Sequence, residues 1–157
     1  MSDRANKSLS ESIIRERIII LTIIENPFLV SKYVEDLGKI NFNNSELSMA
    51  CANIVEYILA NGDNNLENLD IKSYLVERGL QKQIKNIYNP SLLNTYQSFL
   101  KNDKREIERS FIELLDLQKK FLENIELDQA VTDLEENMSE ESFKNFVKLK
   151  KESFNKN

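Results

Sequence analysis

The sequence predicts an all-α fold, and three observations support this prediction. Glycine and proline together account for only five of the 157 residues, too few for the many tight turns of a β-sandwich or barrel. Apolar residues recur at helical spacing along much of the chain. From Asp103 to Asn137 there is neither glycine nor proline, so nothing interrupts a helix of about 35 residues. We expect a helical bundle followed by a long helix and a C-terminal helical hairpin.

The first helix is expected to follow a short tail. Residues 1–9 are polar and predict a disordered N-terminal tail. Ser8 and Glu11 have the spacing of a capping box, in which the two side chains bond otherwise unpaired backbone amides at the start of a helix. The segment Ile18–Ile24 is apolar nearly all round, which indicates a buried central helix. Asn26-Pro27 is expected to end this helix.

Glycine, proline and capping residues divide the middle of the chain into five further helices. A second helix is expected to start at Pro27 and end at Gly38, with Gly38 as a left-handed stop. A third helix is expected to begin at Asn43, which has an acidic residue three positions on, and to end at Gly62. Shorter helices are expected over residues 66–78, 80–88 and 91–100.

The long helix carries two different apolar faces. On a helical wheel at 100° per residue, one apolar set lies on one side: Ile107, Phe111, Leu114, Phe121, Leu122 and Ile125. A second set lies about half a turn away: Leu127, Val131, Leu134 and Met138. A simple coiled coil keeps one seam, so the two halves of this helix are expected to pack on different bodies.

The second body is expected to be a C-terminal helical hairpin. Ser139 is a candidate cap for a last helix over residues 140–154, whose apolar arc is wider than pairing with one helix requires. The expected organisation is a tail (1–9), a helical bundle subdomain (10–122) and a helical hairpin subdomain (123–157). The long helix, about residues 103–137, bridges the last two.

The apolar surplus on this hairpin is the main functional indication in the sequence. A hairpin that exposes Phe and Leu side chains docks on a partner protein or self-associates, unless those side chains fold back on the bundle. The candidate partner-binding residues are Met138, Phe143, Phe146, Val147, Lys148, Leu149, Lys151 and Phe154. Lys148 and Lys151 flank the apolar arc, where the polar rim of an interface would lie.

The residue types speak against most catalytic and metal chemistry. The chain has no histidine, which removes Ser–His and Cys–His nucleophilic pairs and histidine metal sites. A single cysteine, Cys51, excludes an internal disulfide and is expected to be a small core residue on the third helix. Three widely spaced glycines form no phosphate-binding loop. We therefore expect no enzymatic activity, no cofactor and no metal.

Charge and hydropathy set further expectations about partners and location. A net charge of −5 speaks against nonspecific binding to nucleic acid or to an anionic membrane. The sequence has no run of eighteen apolar residues and no signal-peptide core near Met1. Together with the lone cysteine, these features predict a soluble, cytoplasmic protein.

Several local patterns, taken in order, resemble the C-terminal helicase-binding domain of bacterial DNA primase. The resemblance covers nearly the whole chain, and the order and spacing of the patterns carry it. They are Arg15-Glu16-Arg17-Ile18-Ile19-Ile20-Leu21 running into Glu25-Asn26-Pro27, then Phe42 with Ser45-Glu46-Leu47, Leu75 with Gly79-Leu80, and Met138-Ser139-Glu140-Glu141-Ser142-Phe143.

In that family the domain is a helical bundle with a C-terminal hairpin that docks on the N-terminal domains of the hexameric replicative DNA helicase. Some members also contact single-stranded-DNA-binding protein. The resemblance implies a non-catalytic domain that recruits primase to the replication fork, with zinc-binding and RNA-polymerising domains upstream. Two alternatives stay open: the N-terminal domain of a replicative helicase, which has a similar helical fold, and a self-associating helical module.

Overall fold

The computed structural model describes the backbone of residues 3–62, 66, 68–100, 103–137 and 148–152. The regular structure in these residues is helical, which confirms the predicted all-α class. The chain divides into two compact units, residues 1–118 (unit 1) and 119–157 (unit 2). The principal helices are α1 (Asp3–Glu25), α2 (Phe28–Lys32), α3 (Val34–Lys39), α4 (Ser45–Asn61), α5 (Ile71–Glu77), α6 (Gln81–Ile87), α7 (Pro90–Leu100) and α8 (Lys104–Asn137).

The centre of unit 1 is α1, as its continuous apolar run predicts. Ile19, Ile20, Leu21 and Ile23 have no exposed surface. They are covered on several sides, because α1 packs against α2, α4, α6 and α7. Burying one such side chain contributes about 1.5–3 kcal/mol relative to leaving it in water, so this run contributes substantially to the stability of unit 1.

The N-terminal end of α1 differs from the prediction. The helix begins at Asp3, so residues 3–9, expected to form a disordered tail, are helical. Ser8 therefore lies inside the helix and does not occupy the expected N-cap position. The segment contains no glycine or proline, and extending an existing helix by one residue is far easier than nucleating a new one.

The second predicted helix is two short helices, α2 and α3. The break is at Tyr33, whose φ of −116° and ψ of 32° are not helical. Gly38 was expected to end the helix in a left-handed conformation, and this was wrong. Gly38 lies within α3 and is not among the glycines with positive φ. Both short helices pack against α4, with Leu29 and Leu37 buried, so packing decided the break.

The start of α4 is capped one residue later than expected. Asn44, rather than Asn43, is the N-cap, and its Oδ1 atom accepts a hydrogen bond of 3.0 Å from the amide of Leu47. The helix ends where the sequence predicts, with Gly62 in a left-handed conformation at φ 71°. An Asn cap of this kind contributes about 1 kcal/mol of stability.

The turn between α5 and α6 is a Schellman motif around Gly79. The amide of Leu80 donates to the carbonyl of Leu75, and the amide of Gly79 donates to that of Val76, each at 3.0 Å. Gly79 has φ 82°, which a residue without a side chain adopts at no steric cost. At its other end, α5 begins at Ile71, later than the expected residue 66, because Asp70 provides the cap.

The long helix α8 matches its predicted limits and runs from unit 1 into unit 2. Asp103 caps it, with its Oδ1 atom accepting a 3.0 Å hydrogen bond from the amide of Glu106. The boundary between the units follows Gln118, four residues before the expected position at 122. Of the predicted last helix, residues 148–152 are described and are helical. In the part of the chain that the structure describes, no helix combines the length and apolar content needed to cross a membrane.

Candidate partner-binding surface and its anchor

The covered side of α8 in unit 1 is the first of the two apolar faces found in the sequence. Ile107 and Phe111 are buried in the core of unit 1, and Leu114 packs against that core. On the other sides of the same stretch, Ile112 and Leu117 are about half exposed. The part of the first apolar face that lies in unit 1, from Ile107 to Leu114, therefore packs on the core of that unit, as the wheel predicts.

In unit 2 the covered side of α8 has changed. Ala130 is 8% exposed and the second apolar set, Leu127, Val131 and Leu134, is half-buried. Asp133 is also half-buried, whereas four neighbouring residues are exposed: Glu126, Asp128, Gln129 and Thr132. At 100° per residue, this covered side lies about half a turn from the one used in unit 1. The burial pattern therefore agrees with the change of face predicted between Ile125 and Leu127.

The structure describes three of the eight candidate partner-binding residues. Lys148 and Lys151 are exposed, and Leu149 between them is half-buried, all within one helical stretch. The other five lie outside the described residues: Met138, Phe143, Phe146, Val147 and Phe154. A half-buried leucine between two exposed lysines has the arrangement of an apolar contact with a charged rim.

Acidic side chains and the single cysteine are the candidate groups for metal or thiol chemistry in the described residues. Among them, no group of three or more His, Cys, Asp or Glu side chains is placed to hold a metal ion. Cys51 is 4% exposed, and burial raises the pKa of its thiol to about 12. The thiol is therefore protonated at neutral pH and behaves as a small apolar group, as the sequence predicts.

A buried carboxylate, which the sequence analysis missed, anchors the first face of α8. Glu16 lies in the middle of α1 and has no exposed surface. Its Oε2 atom accepts hydrogen bonds from Ser12 Oγ at 3.1 Å, from the Asn43 amide at 2.9 Å and from Gln118 Nε2 at 2.9 Å. Its Oε1 atom accepts from the Asn44 amide at 3.0 Å. These four donors replace the water that the carboxylate loses on burial.

Gln118 is the member of this network that belongs to α8, and it is also completely buried. Its Nε2 atom donates to Glu16 and to the carbonyl of Asn41 at 3.0 Å. Its Oε1 atom accepts from Arg15 Nε at 3.0 Å, and burial lowers the pKa of the Arg15 guanidinium. The network thus joins α1, the link from α3 to α4, and α8.

Two sequence signals could have revealed this network. Glu16 stands just before the most apolar run of the chain, where a charged side chain needs a buried partner. Gln118 stands at a position where the first apolar face of α8 continues, four residues after Leu114 and three before Phe121. A polar residue in such a seam is the usual device that fixes register in helix packing.

A second polar cluster joins α1 to α6 and α7. Tyr88 at the end of α6 donates a 2.6 Å hydrogen bond from its hydroxyl to Glu25 Oε1. Asn26 donates from Nδ2 to the hydroxyl oxygen of Tyr96 at 2.8 Å. Burial raises the pKa of Tyr96 to about 12 and also raises that of Tyr88. Both phenols therefore stay protonated at neutral pH.

Comparisons with known proteins identify no relative. No family model, no curated protein and no solved structure matches the chain.

Proposed function

We propose that this chain is a non-catalytic protein-interaction domain, and specifically the helicase-binding C-terminal domain of a bacterial DNA primase. In this role unit 1 is the folded support and unit 2 carries the docking surface. Unit 2 binds the N-terminal domain of the hexameric replicative helicase and so brings primase to the replication fork. A contact with single-stranded-DNA-binding protein belongs to the same proposal.

The observation that carries the proposal is the change of covered face along α8. A helix that only stabilised unit 1 would have no need of a second apolar face after Ile125. Here Leu127, Val131 and Leu134 are apolar and retain part of their surface. The order of the local patterns that resemble those of the primase domain supports the choice of partner.

The physical basis of binding is the remaining exposure of these apolar side chains. When a partner covers a half-buried leucine or valine, each square ångström of apolar surface removed from water contributes about 25 cal/mol. Lys148 and Lys151 are exposed beside Leu149 and provide the charged rim. Their attraction to carboxylates on the partner raises the association rate and selects the orientation of docking.

The proposal is tested by calorimetric titration of the full chain into the cognate helicase N-terminal domain. Saturable binding is expected for the unchanged chain. Leu149→Ser is expected to weaken it by about tenfold, which corresponds to about 1.4 kcal/mol. The matched control is Leu117→Ser, which removes a leucine that is 53% exposed on the unit 1 part of α8. Its affinity is expected to equal that of the unchanged chain.

Charge reversal supplies a second arm of the same experiment. Lys148→Glu with Lys151→Glu is expected to reduce the association rate and its dependence on ionic strength. Absence of saturable heat for the folded, unchanged chain, at concentrations that reveal a Kd of about 10 µM, would contradict the helicase-binding proposal. Light scattering on the same samples tests the self-association alternative, because a self-associating module gains mass as its concentration rises.

A further inference from the structure

The buried side of α8 in unit 1 follows a heptad pattern. The covered positions are separated by four and three residues in alternation: Ile107, Phe111, Leu114 and Gln118. In the sequence the same spacing continues at Phe121 and Ile125. A shift of seven residues that brings Ile125 to the place of Gln118 again sets apolar side chains, Leu114 and Phe121, where Ile107 and Leu114 pack. Apolar packing alone therefore does not choose strongly between registers of α8.

Four contacts hold α8 along the segment from Phe28 to Asn41. They are Lys104 Nζ over the Phe28 ring at 4.7 Å, Lys32 Nζ to Glu108 Oε1 at 2.6 Å, the Tyr33 and Phe111 rings at 5.7 Å, and Gln118 Nε2 to the Asn41 carbonyl at 3.0 Å. In each pair the two residues lie 76 to 78 positions apart in the sequence, so the contacts describe one parallel register.

These four contacts differ in how strongly they depend on register. The Lys32 side chain is 57% exposed, so its ion pair with Glu108 is weak and adapts to small shifts. The contacts of Phe28 and Tyr33 tolerate any large apolar or cationic neighbour. Gln118 is different, because it is fully buried and its amide has directional partners on Arg15, Glu16 and Asn41.

We propose that the hydrogen bonds between Gln118 and Glu16 select a single register of α8 on unit 1. A shift of one heptad would place Phe111 or Ile125 opposite the Glu16 carboxylate and would bury Gln118 against apolar side chains. Both groups would then lose partners without gaining water, which is the most unfavourable state for a buried polar group. This inference concerns unit 1 and is independent of the proposed function.

The test uses nuclear Overhauser effects between the Tyr33 and Phe111 rings as a reporter of register. In the unchanged chain one set of such signals is expected. Gln118→Leu is expected to stay helical by circular dichroism but to lose this signal or to show a second set of resonances for α8. The matched control is Leu114→Ala, which weakens the same seam without removing a polar group and is expected to keep the single signal.

A second variant keeps the test decisive if Gln118→Leu fails to fold. The double change Glu16→Leu with Gln118→Leu removes both polar side chains of the pair, so no carboxylate is left in the core, and the amides of Asn43 and Asn44 lose their acceptor. It is expected to fold and to show more than one register. A single native register in either folded variant would overturn the proposal. Failure of the double variant to fold would overturn it as well, since the pair would then be needed for folding rather than for register.

Discussion

Gln118 donates a hydrogen bond of 2.9 Å from Nε2 to the Oε2 atom of Glu16, and both side chains are completely buried. The two residues lie 102 positions apart, so this bond ties the first helix of the chain to the last helix of unit 1. It occurs at the point where unit 1 ends. The bond therefore holds α8 in place at Gln118, the last residue of unit 1.

Removal of the Glu16 carboxylate is expected to destabilise unit 1 strongly. Glu16→Ala leaves the amides of Asn43 and Asn44 without their acceptor, and it leaves Gln118 buried with one partner fewer. We expect the free energy of unfolding in urea to fall by about 3 kcal/mol. Glu56→Ala, on the exposed face of α4, is the control and should change it by less than about 0.5 kcal/mol. A loss for Glu16→Ala as small as the control's would contradict the structural role.

The two glycines of contrasting backbone conformation are expected to respond oppositely to alanine. Gly38 lies in α3 with no atom within 4 Å of an added Cβ, so Gly38→Ala should stabilise the fold by about 0.5 kcal/mol. Gly79 has φ 82°, which alanine adopts only under strain, so Gly79→Ala should destabilise by about 1 kcal/mol. Thermal unfolding of both variants measures the difference. A loss of stability in Gly38→Ala would indicate that Gly38 has the left-handed conformation predicted from the sequence.

The Cys51 thiol is expected to be unreactive in the folded protein. Burial raises its pKa from 9.0 to about 12, so at pH 8 its thiolate population is about a thousandfold lower than that of an unshifted thiol. Iodoacetamide should modify Cys51 only after unfolding in urea. The matched control is Ala52→Cys in a Cys51→Ser chain, because position 52 is exposed on the same helix. Equal modification rates at the two positions would show that Cys51 is not buried in α4.

The same shift predicts how stability depends on alkaline pH. The pKa of the folded thiol lies above its unfolded value, so the contribution of Cys51 to stability is complete below about pH 9. This contribution is lost as the pH rises from about 9 towards 12.

The Asp70 cap is expected to titrate at an unusually low pH. Its Oδ2 atom accepts a 2.7 Å hydrogen bond from Ser73 Oγ and its Oδ1 atom a 3.1 Å bond from the Ser73 amide, which lowers the pKa of the carboxyl below 3.8. The contribution of the Asp70 cap to the stability of the fold is therefore present above about pH 3.8. It disappears as the pH falls through the lowered pKa of Asp70. Carbon NMR should detect this pKa directly.

Ser73→Ala provides the internal comparison for this titration. The hydroxyl bond is the largest cause of the shift, so its removal should move the pKa of Asp70 upward towards 3.8. The backbone bond remains, so part of the shift should persist. A pKa unchanged by Ser73→Ala would mean that the hydroxyl does not stabilise the ionised carboxyl.

The candidate docking surface was predictable in outline only. The change of apolar face along α8 follows from the spacing of Leu127, Val131 and Leu134, because the rotation per residue of a helix is constant. The exposure of Lys148 and Lys151 likewise follows from their charge. That Leu149 keeps part of its surface depends on what packs beside it, which spacing does not specify.

The sequence by itself determined the helical class, the buried run Ile18–Ile24, the stops at Gly62 and Gly79, and the extent of α8. These features depend on the backbone preferences of single residues and on the spacing of apolar residues, so residues close together in the sequence determine them. Only the tertiary structure decided that α2 and α3 separate at Tyr33, that Gly38 is helical, and that Glu16 meets Gln118. Those outcomes depend on contacts between residues far apart in the chain, where packing and hydrogen bonding across helices outweigh local preference.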